Sequence, residues 1–225
     1  MSSLMSYTIH TVSHPPALDA AWGTGAWAGA AEGCITNFHA KGSDHRPDTR
    51  FRVLRDDAYL YVQFAVQDRY VRSVQTAYQG AVCTDSCVEF FVQPRPDRGY
   101  FNFEVNAGGT LLLFYIEDAR RAPDGFVKFC RVDEAWGRQV QIWHALPSVV
   151  EPELPGPVSW GVAYRVPVAL FEAYTGPLGP LAGQAWRANF FKCGDQTSHP
   201  HWGSWAPITE LNFHLPACFG ELTLA

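Results

Sequence analysis

Apolar and polar side chains alternate in short runs along most of this chain, and Gly, Pro, Asp and Asn cluster between the runs. A period of two is that of an extended strand with one buried face. The pattern predicts strands at 49–54 (TRFRVL), 59–66 (YLYVQFAV), 87–93 (CVEFFVQ), 100–105 (YFNFEV), 110–116, 126–132, 139–145, 161–166, 186–192 and 220–224. Arg55-Asp56-Asp57 reads as a hairpin turn, and 94–99 (PRPDRG) and 107–109 (AGG) read as further turns. Helical periodicity is nearly absent. The exception is 167–174 (PVALFEAY), which predicts a short helix with Pro in its first turn and Gly176 just past its end. The stretch 146–160 (LPSVVEPELPGPVSW) reads as a Pro-rich surface loop.

Many short strands that each need one face covered imply two packed sheets. The expected fold is all-β: one antiparallel β-sandwich domain spanning 1–225, with about ten strands, jelly-roll or immunoglobulin-like, and one short helix. Alternation assigns faces. Val88, Phe90 and Val92 point one way and Cys87, Glu89, Phe91 and Gln93 the other. On the next strand Phe101, Phe103 and Val105 oppose Tyr100, Asn102, Glu104 and Asn106. Near the end, Trp186, Ala188, Phe190 and Lys192 oppose Arg187, Asn189 and Phe191.

Composition adds rings and removes charge. Eight Trp, nine Tyr and fifteen Phe are more than a core needs, so some are expected to line a surface or groove. Charged residues are only 17% and the net charge is −5, with no Lys/Arg cluster dense enough for nucleic acid or an anionic membrane. The first ten residues, MSSLMSYTIH, lack the basic and apolar stretches of a secretory signal, which predicts a cytoplasmic location while leaving secretion open. Cys34, Cys83, Cys87, Cys130, Cys193 and Cys218 show no CxxC and no zinc spacing, and are expected as reduced thiols, with structural disulfides the alternative.

Three strands thus carry a polar row mixed with aromatics. Glu89, Asn102, Glu104, Asn106, Arg187 and Asn189 together offer donors and acceptors, which suits sugar hydroxyls. A sugar also presents flat C–H faces. The segment 199–205 (HPHWGSW) supplies Trp202 and Trp205 as candidate stacking plates. The bland alternative is a solvated outer face.

The run Cys83-Thr-Asp-Ser-Cys-Val-Glu-Phe-Phe-Val resembles the DSVEIF signature of the family 9 carbohydrate-binding modules that accompany xylanases. Asp57-Ala-Tyr-Leu-Tyr-Val, Tyr100-Phe-Asn-Phe-Glu-Val-Asn-Ala-Gly-Gly, Trp186-Arg-Ala-Asn-Phe-Phe, Ser204-Trp-Ala-Pro and the ending from Asn212 resemble further motifs of that group, in the same order over about residues 45–225. The resemblance implies a β-sandwich that binds an oligo- or polysaccharide such as one derived from xylan or cellulose, at chain ends and between two Trp rings. It places Glu89 at the acidic sugar-contacting position. The family's first clamp Trp precedes that Glu by six residues, where this chain has Cys83, so a second ring has to come from Tyr78 or the 199–205 loop. It also implies structural calcium, for which Asp56, Asp57, Asp68 and Asp85 are candidates; ordinary turn aspartates are the alternative.

Two other functions stay open at this point. One is a xylanase-like hydrolase that uses Glu89 and Glu104, although the chain has no room for a catalytic barrel and no G-x-S-x-G, HExxH, P-loop or GxGxxG. The other is a module for a non-sugar ligand. Haem is disfavoured, because Met1 and Met5 are the only methionines, and His199, His201 and His214 show no metal-site spacing. The sequence does not set the oligomeric state.

Overall fold

The computed structural model describes residues 4–123 and 125–225. Sixteen strands make up its regular framework: β1 (Ser6–Thr11), β2 (Gly33–Ile35), β3 (Asn37–Phe38), β4 (Asp48–Arg55), β5 (Tyr59–Asp68), β6 (Val71–Ser73), β7 (Cys87–Gln93) and β8 (Tyr100–Asn106). They continue as β9 (Leu111–Ala122), β10 (Gly125–Arg131), β11 (Gln141–His144), β12 (Val150–Leu154), β13 (Val158–Pro167), β14 (Ala185–Cys193), β15 (Trp202–Ser204) and β16 (Gly220–Leu224). The ten predicted strands are all present. The six additional ones are short, so the expectation of about ten strands is corrected to sixteen.

The strands form a sandwich. One sheet runs β10-β9-β8-β7-β14-β16-β1 and the other β1-β4-β5-β13-β11. β1 belongs to both. Ser6–Ile9 pair with β16, whereas His10 and Thr11 pair with β4. Both pairings are parallel, so the expected purely antiparallel sandwich is instead mixed. The predicted loop at 146–160 contains β12, which pairs with β6 outside the two main sheets. Its Glu-Pro-Glu sequence hid the strand, because Pro fits only an edge and charge fits only a wet one. The helix Val168–Thr175 forms where predicted, and Gly176 ends it at φ 83°, a backbone region open to glycine at little cost.

The inward faces are those assigned by alternation. Val88, Phe90, Val92, Phe101, Phe103, Val105, Trp186, Ala188 and Phe190 meet Phe51, Val53, Val62, Phe64, Trp160 and Tyr164 of the opposite sheet. Phe51 and Phe190 stack at 3.6 Å between ring centres, and Phe90 lies 4.8 Å from Phe190 on its other side.

Lys192 is the exception on the inward row. It is fully buried, its ammonium donates to His201 Nε2 at 2.7 Å and to the Cys193 carbonyl at 2.9 Å, and it stands 3.4 Å from Asp68. Asp68 also accepts from His45 at 2.7 Å and from the Trp160 indole at 2.9 Å. Burial alone would raise its pKa, but Lys192 and these hydrogen bonds hold the carboxyl well below the usual carboxylate range.

Candidate functional site

The outer face of the β7–β8–β14 sheet is not solvated. Residues 206–219 fold back across it. Phe213 stacks on Phe191 at 4.0 Å, and His214 lies 4.9 Å from the Phe91 ring and 4.5 Å from Phe126. Most of the polar row is therefore inside the protein, and its members serve different ends.

Glu89 and Glu104 stand directly opposite one another on β7 and β8. They are only 2% and 5% exposed, yet both line a pocket of about 320 Å³ left open beside residues 211–214. Trp202, Cys83, Cys193, Asp195 and Arg121 complete its wall. Asn102 does not face the pocket; it donates to Glu104 Oε1 at 2.8 Å and accepts from the Phe114 amide, which fixes the carboxyl. Burial, and for Glu89 also the facing Glu104, pushes both carboxyls well above the usual range. A pair of this kind retains a proton near neutrality, so it can donate as well as accept.

The other predicted residues are structural. Asn106 caps the β8–β9 turn, donating to Gln75 O and Asp85 and accepting from the Thr110 amide. Arg187 donates to the carbonyls of Phe219 and Gly220 and so pins the last strand. Asn189 exchanges hydrogen bonds with the backbone of Ala206. Trp205 is 3% exposed and packs edge-on against Phe51 and Phe190, so it belongs to the core and offers no stacking plate. β15 draws it inward by pairing with β14 and β3.

Trp202 does reach the pocket. Its indole donates to Asp195 at 2.7 Å. Asp195 is held in turn by a backbone bond to Cys83, which joins the 194–197 loop to the turn Val82–Thr84. Tyr78 does not stand in for the absent clamp ring: its hydroxyl donates to the Val132 carbonyl and its ring packs on the core.

The four candidate calcium aspartates do not fit a shared cage. Asp56 accepts from the Ala58 and Tyr59 amides and the Tyr61 hydroxyl, and the Asp57 side chain is fully exposed. Asp68 is matched by Lys192, and Asp85 by the Val74 and Gln75 amides, Asn106 and Arg72. Asp56, Asp68 and Asp85 are already satisfied by donors that a cation would displace, and Asp57 stands out in solvent.

His214 carries a pH dependence. Its Nδ1 lies 2.8 Å from the Tyr100 hydroxyl among Phe91 and Phe126. Burial, reinforced by Arg121, pushes its pKa down to about 3. The unfolded chain takes up this proton near pH ~6.5 and the folded one does not, so stability falls on acidification between those values. Replacing His214 with Phe is expected to flatten the stability curve between about pH 6 and pH 4 by roughly 1.4 kcal/mol per pH unit. Urea denaturation across that range measures the slope. An unchanged slope would show that folded His214 protonates freely.

The family model of carbohydrate-binding family 9 matches residues 30–224. The chain belongs to that family. Family 9 membership makes this a binding domain and not a catalytic one. The crystal structure of a candidate carbohydrate-binding protein from Bacteroides uniformis ATCC 8492 is similar over 99% of this chain and 100% of that one, at 28% identity and a TM-score of 0.84. A family 9 module from Caldicellulosiruptor kristjanssonii in complex with glucose matches with 15% identity and a TM-score of 0.63, covering 97% of this chain and 95% of that one. Its cellotriose complex gives 16% and 0.61, covering 98% and 93%. At those identities the likeness is one of fold. Among curated proteins none matches. No helix among the described residues is long and apolar enough to cross a membrane.

Sequence reasoning missed Arg121 and Asp195. The predicted strand 110–116 stopped short, whereas β9 runs to Ala122 and carries Arg121 to the pocket mouth. Asp195 follows Gly194 in what reads as an ordinary turn, and only the tertiary bond to Trp202 marks it out.

Proposed function

We propose that the pocket between Glu89, Glu104 and Trp202 binds the end of an oligosaccharide. The observation that supports it most is the pairing of two facing carboxyls on the pocket floor with an indole on its wall. The carboxyls take sugar hydroxyls as donors and acceptors, Arg121 adds donors at the mouth, and the Trp202 ring gives the apolar plate. Ligand sites run from about 300 to 1,000 Å³. A pocket of about 320 Å³ is at the small end, which suits a terminal sugar better than the middle of a polymer.

The same geometry speaks against hydrolysis. A glycosidase places its two carboxyls across the scissile bond. Glu89 and Glu104 sit side by side on one sheet face, where both approach a ligand from the same direction.

Titration calorimetry with glucose, cellotriose and xylotriose tests the reading and separates cellulose-derived from xylan-derived ligands. Trp202→Ala is expected to weaken saccharide binding by about 1–3 kcal/mol, the scale of a hot-spot aromatic. An affinity unchanged in Trp202→Ala, or no binding of any saccharide by the native chain, would remove the proposal.

A further inference from the structure

The alternation that brings Glu89 to the pocket floor brings thiols with it. Cys87 precedes Glu89 by two residues on the same face of β7, and Cys193 on β14 is the direct register partner of Cys87. The Cys193 thiol lies 3.1 Å from Glu89 Oε1. One ligand atom from each of Cys87, Glu89 and Cys193 falls within 4.8 Å of the other two, and all three residues are buried. Among the described residues this is the one group of His, Cys, Asp and Glu that close. Cys83 packs against the same cluster and lines the pocket beside Glu89 and Cys193.

We propose that Cys87, Glu89 and Cys193 form a binding site for a thiophilic divalent cation such as Zn²⁺, with its fourth position facing the pocket.

Three arguments support it. At bond lengths of about 2.3 Å to sulfur and 2.0–2.2 Å to oxygen, ligands of a tetrahedral Zn²⁺ stand roughly 3.5–4 Å apart. The observed spacing, within 4.8 Å, is close enough that small side-chain rotations are what the site asks for. Second, two thiols and one carboxylate are the donor set that favours Zn²⁺ over Ca²⁺ or Mg²⁺, which take oxygen ligands. Third, among the described residues the Cys193 thiol is the one group hydrogen-bonded to the Glu89 carboxyl, so Glu89 can turn to a cation without giving up another partner. On coordination each thiol gives its proton to solvent, one S–H bond breaking for each metal–sulfur bond formed, and the proton held by the carboxyl pair rests on Glu104 while Glu89 binds the metal. Cys83 or a water fills the fourth position. Cys193 lies far along the chain from Cys87 and Glu89, which is why no zinc spacing shows.

This inference does not rest on saccharide binding, and the experiment keeps the two apart. The full chain, kept reduced with a phosphine and stripped of metal, is titrated with Cd²⁺ and Co²⁺ without sugar. The expected result is one equivalent bound, with sulfur-to-metal charge-transfer absorption that Zn²⁺ displaces. Cys193→Ser and Glu89→Gln, each first shown to be folded by circular dichroism, should bind at least about tenfold more weakly. A Cys34→Ser/Cys130→Ser double variant, which removes the two exposed thiols, should bind as the native chain does. Absence of the charge-transfer band would overturn the site. So would a band of full affinity in Cys193→Ser, or one lost with the exposed thiols. Calorimetry of the metal-free protein with cellotriose then reports on sugar alone, so either activity can fail while the other stands.

Discussion

Replacing Asp68 with Ala is expected to destabilise the fold by about 3–5 kcal/mol at neutral pH, the scale for breaking a buried ion pair by removing one partner. The substitution leaves the Lys192 ammonium buried without its anion and the Trp160 indole N–H without its acceptor. Asp68→Asn should cost less, because an amide oxygen can still accept from Trp160. A double Asp68→Leu/Lys192→Met variant should recover much of the loss, since apolar replacement of both partners removes the desolvation penalty along with the attraction. The dependence on pH fixes the sign. A carboxyl held below its unfolded pKa contributes stability that is complete above about pH 4 and is lost as the pH falls through the folded value. The gap between native protein and Asp68→Ala should therefore be widest near neutrality and narrow at low pH. Guanidine unfolding at both ends of that range checks this, and a gap below about 1 kcal/mol at pH ~7 would show that Lys192 finds another partner or releases its proton.

The placement of Lys192 also shows what alternation can and cannot tell. Period two put Lys192 on the inward row with Trp186, Ala188 and Phe190, and it does point inward. Nothing in the local pattern says that an Asp from β5 and two His from loops are waiting there, because Asp68 and His45 lie 124 and 147 positions from Lys192 and His201 lies beyond the end of its strand. The same division runs through the rest of the molecule. The long strands were legible because each carries several alternating apolar residues. β2, β3, β6 and β15 have two or three residues each, too few for any period to show. β1 is a different case: Tyr7 and Ile9 do alternate inward, but it makes only parallel pairings to distant strands and no hairpin marks it.

For the site, sequence reasoning found the carboxyls and one of two Trp. Glu89, Glu104 and Trp202 come together as expected. Arg187, Asn189 and Asn106 had the right chemistry and the right face, yet Arg187 and Asn189 bond to the backbone of the covering segment and its junction with β16, and Asn106 to Gln75, Asp85 and the β8–β9 turn. That cover is irregular chain with no period, so its position over the sheet could not be read beforehand. The resemblance to family 9 implied the β-sandwich and pointed to Glu89, which does line the pocket, and the Cys83 departure it exposed coincides with the thiol-lined part of that pocket.

Phe190→Ala should cost about 3–5 kcal/mol, the range for emptying a buried aromatic position. Phe190 is fully buried and lies between Phe51 and Phe90, with Tyr7, Phe64 and Trp205 around it. Neighbours on both sheets would have to move to close the space, and the stacked Phe51 ring also fills the position beside Gly33, where even a Cβ would meet it at 2.0 Å. Such a tight arrangement relaxes poorly, which sets the expected loss near the top of the range. Phe190→Leu keeps much of the volume and should lose less. The prediction also bears on the site, because Phe190 and the pocket lie on opposite faces of β14. The folded fraction of Phe190→Ala should keep its saccharide affinity while its unfolding midpoint falls, the reverse of the outcome for Trp202→Ala. If calorimetry below the unfolding transition finds affinity lost in proportion to stability, then pocket and core form one mechanical unit, and the separation of a packing face from a recognition face within β14 is wrong.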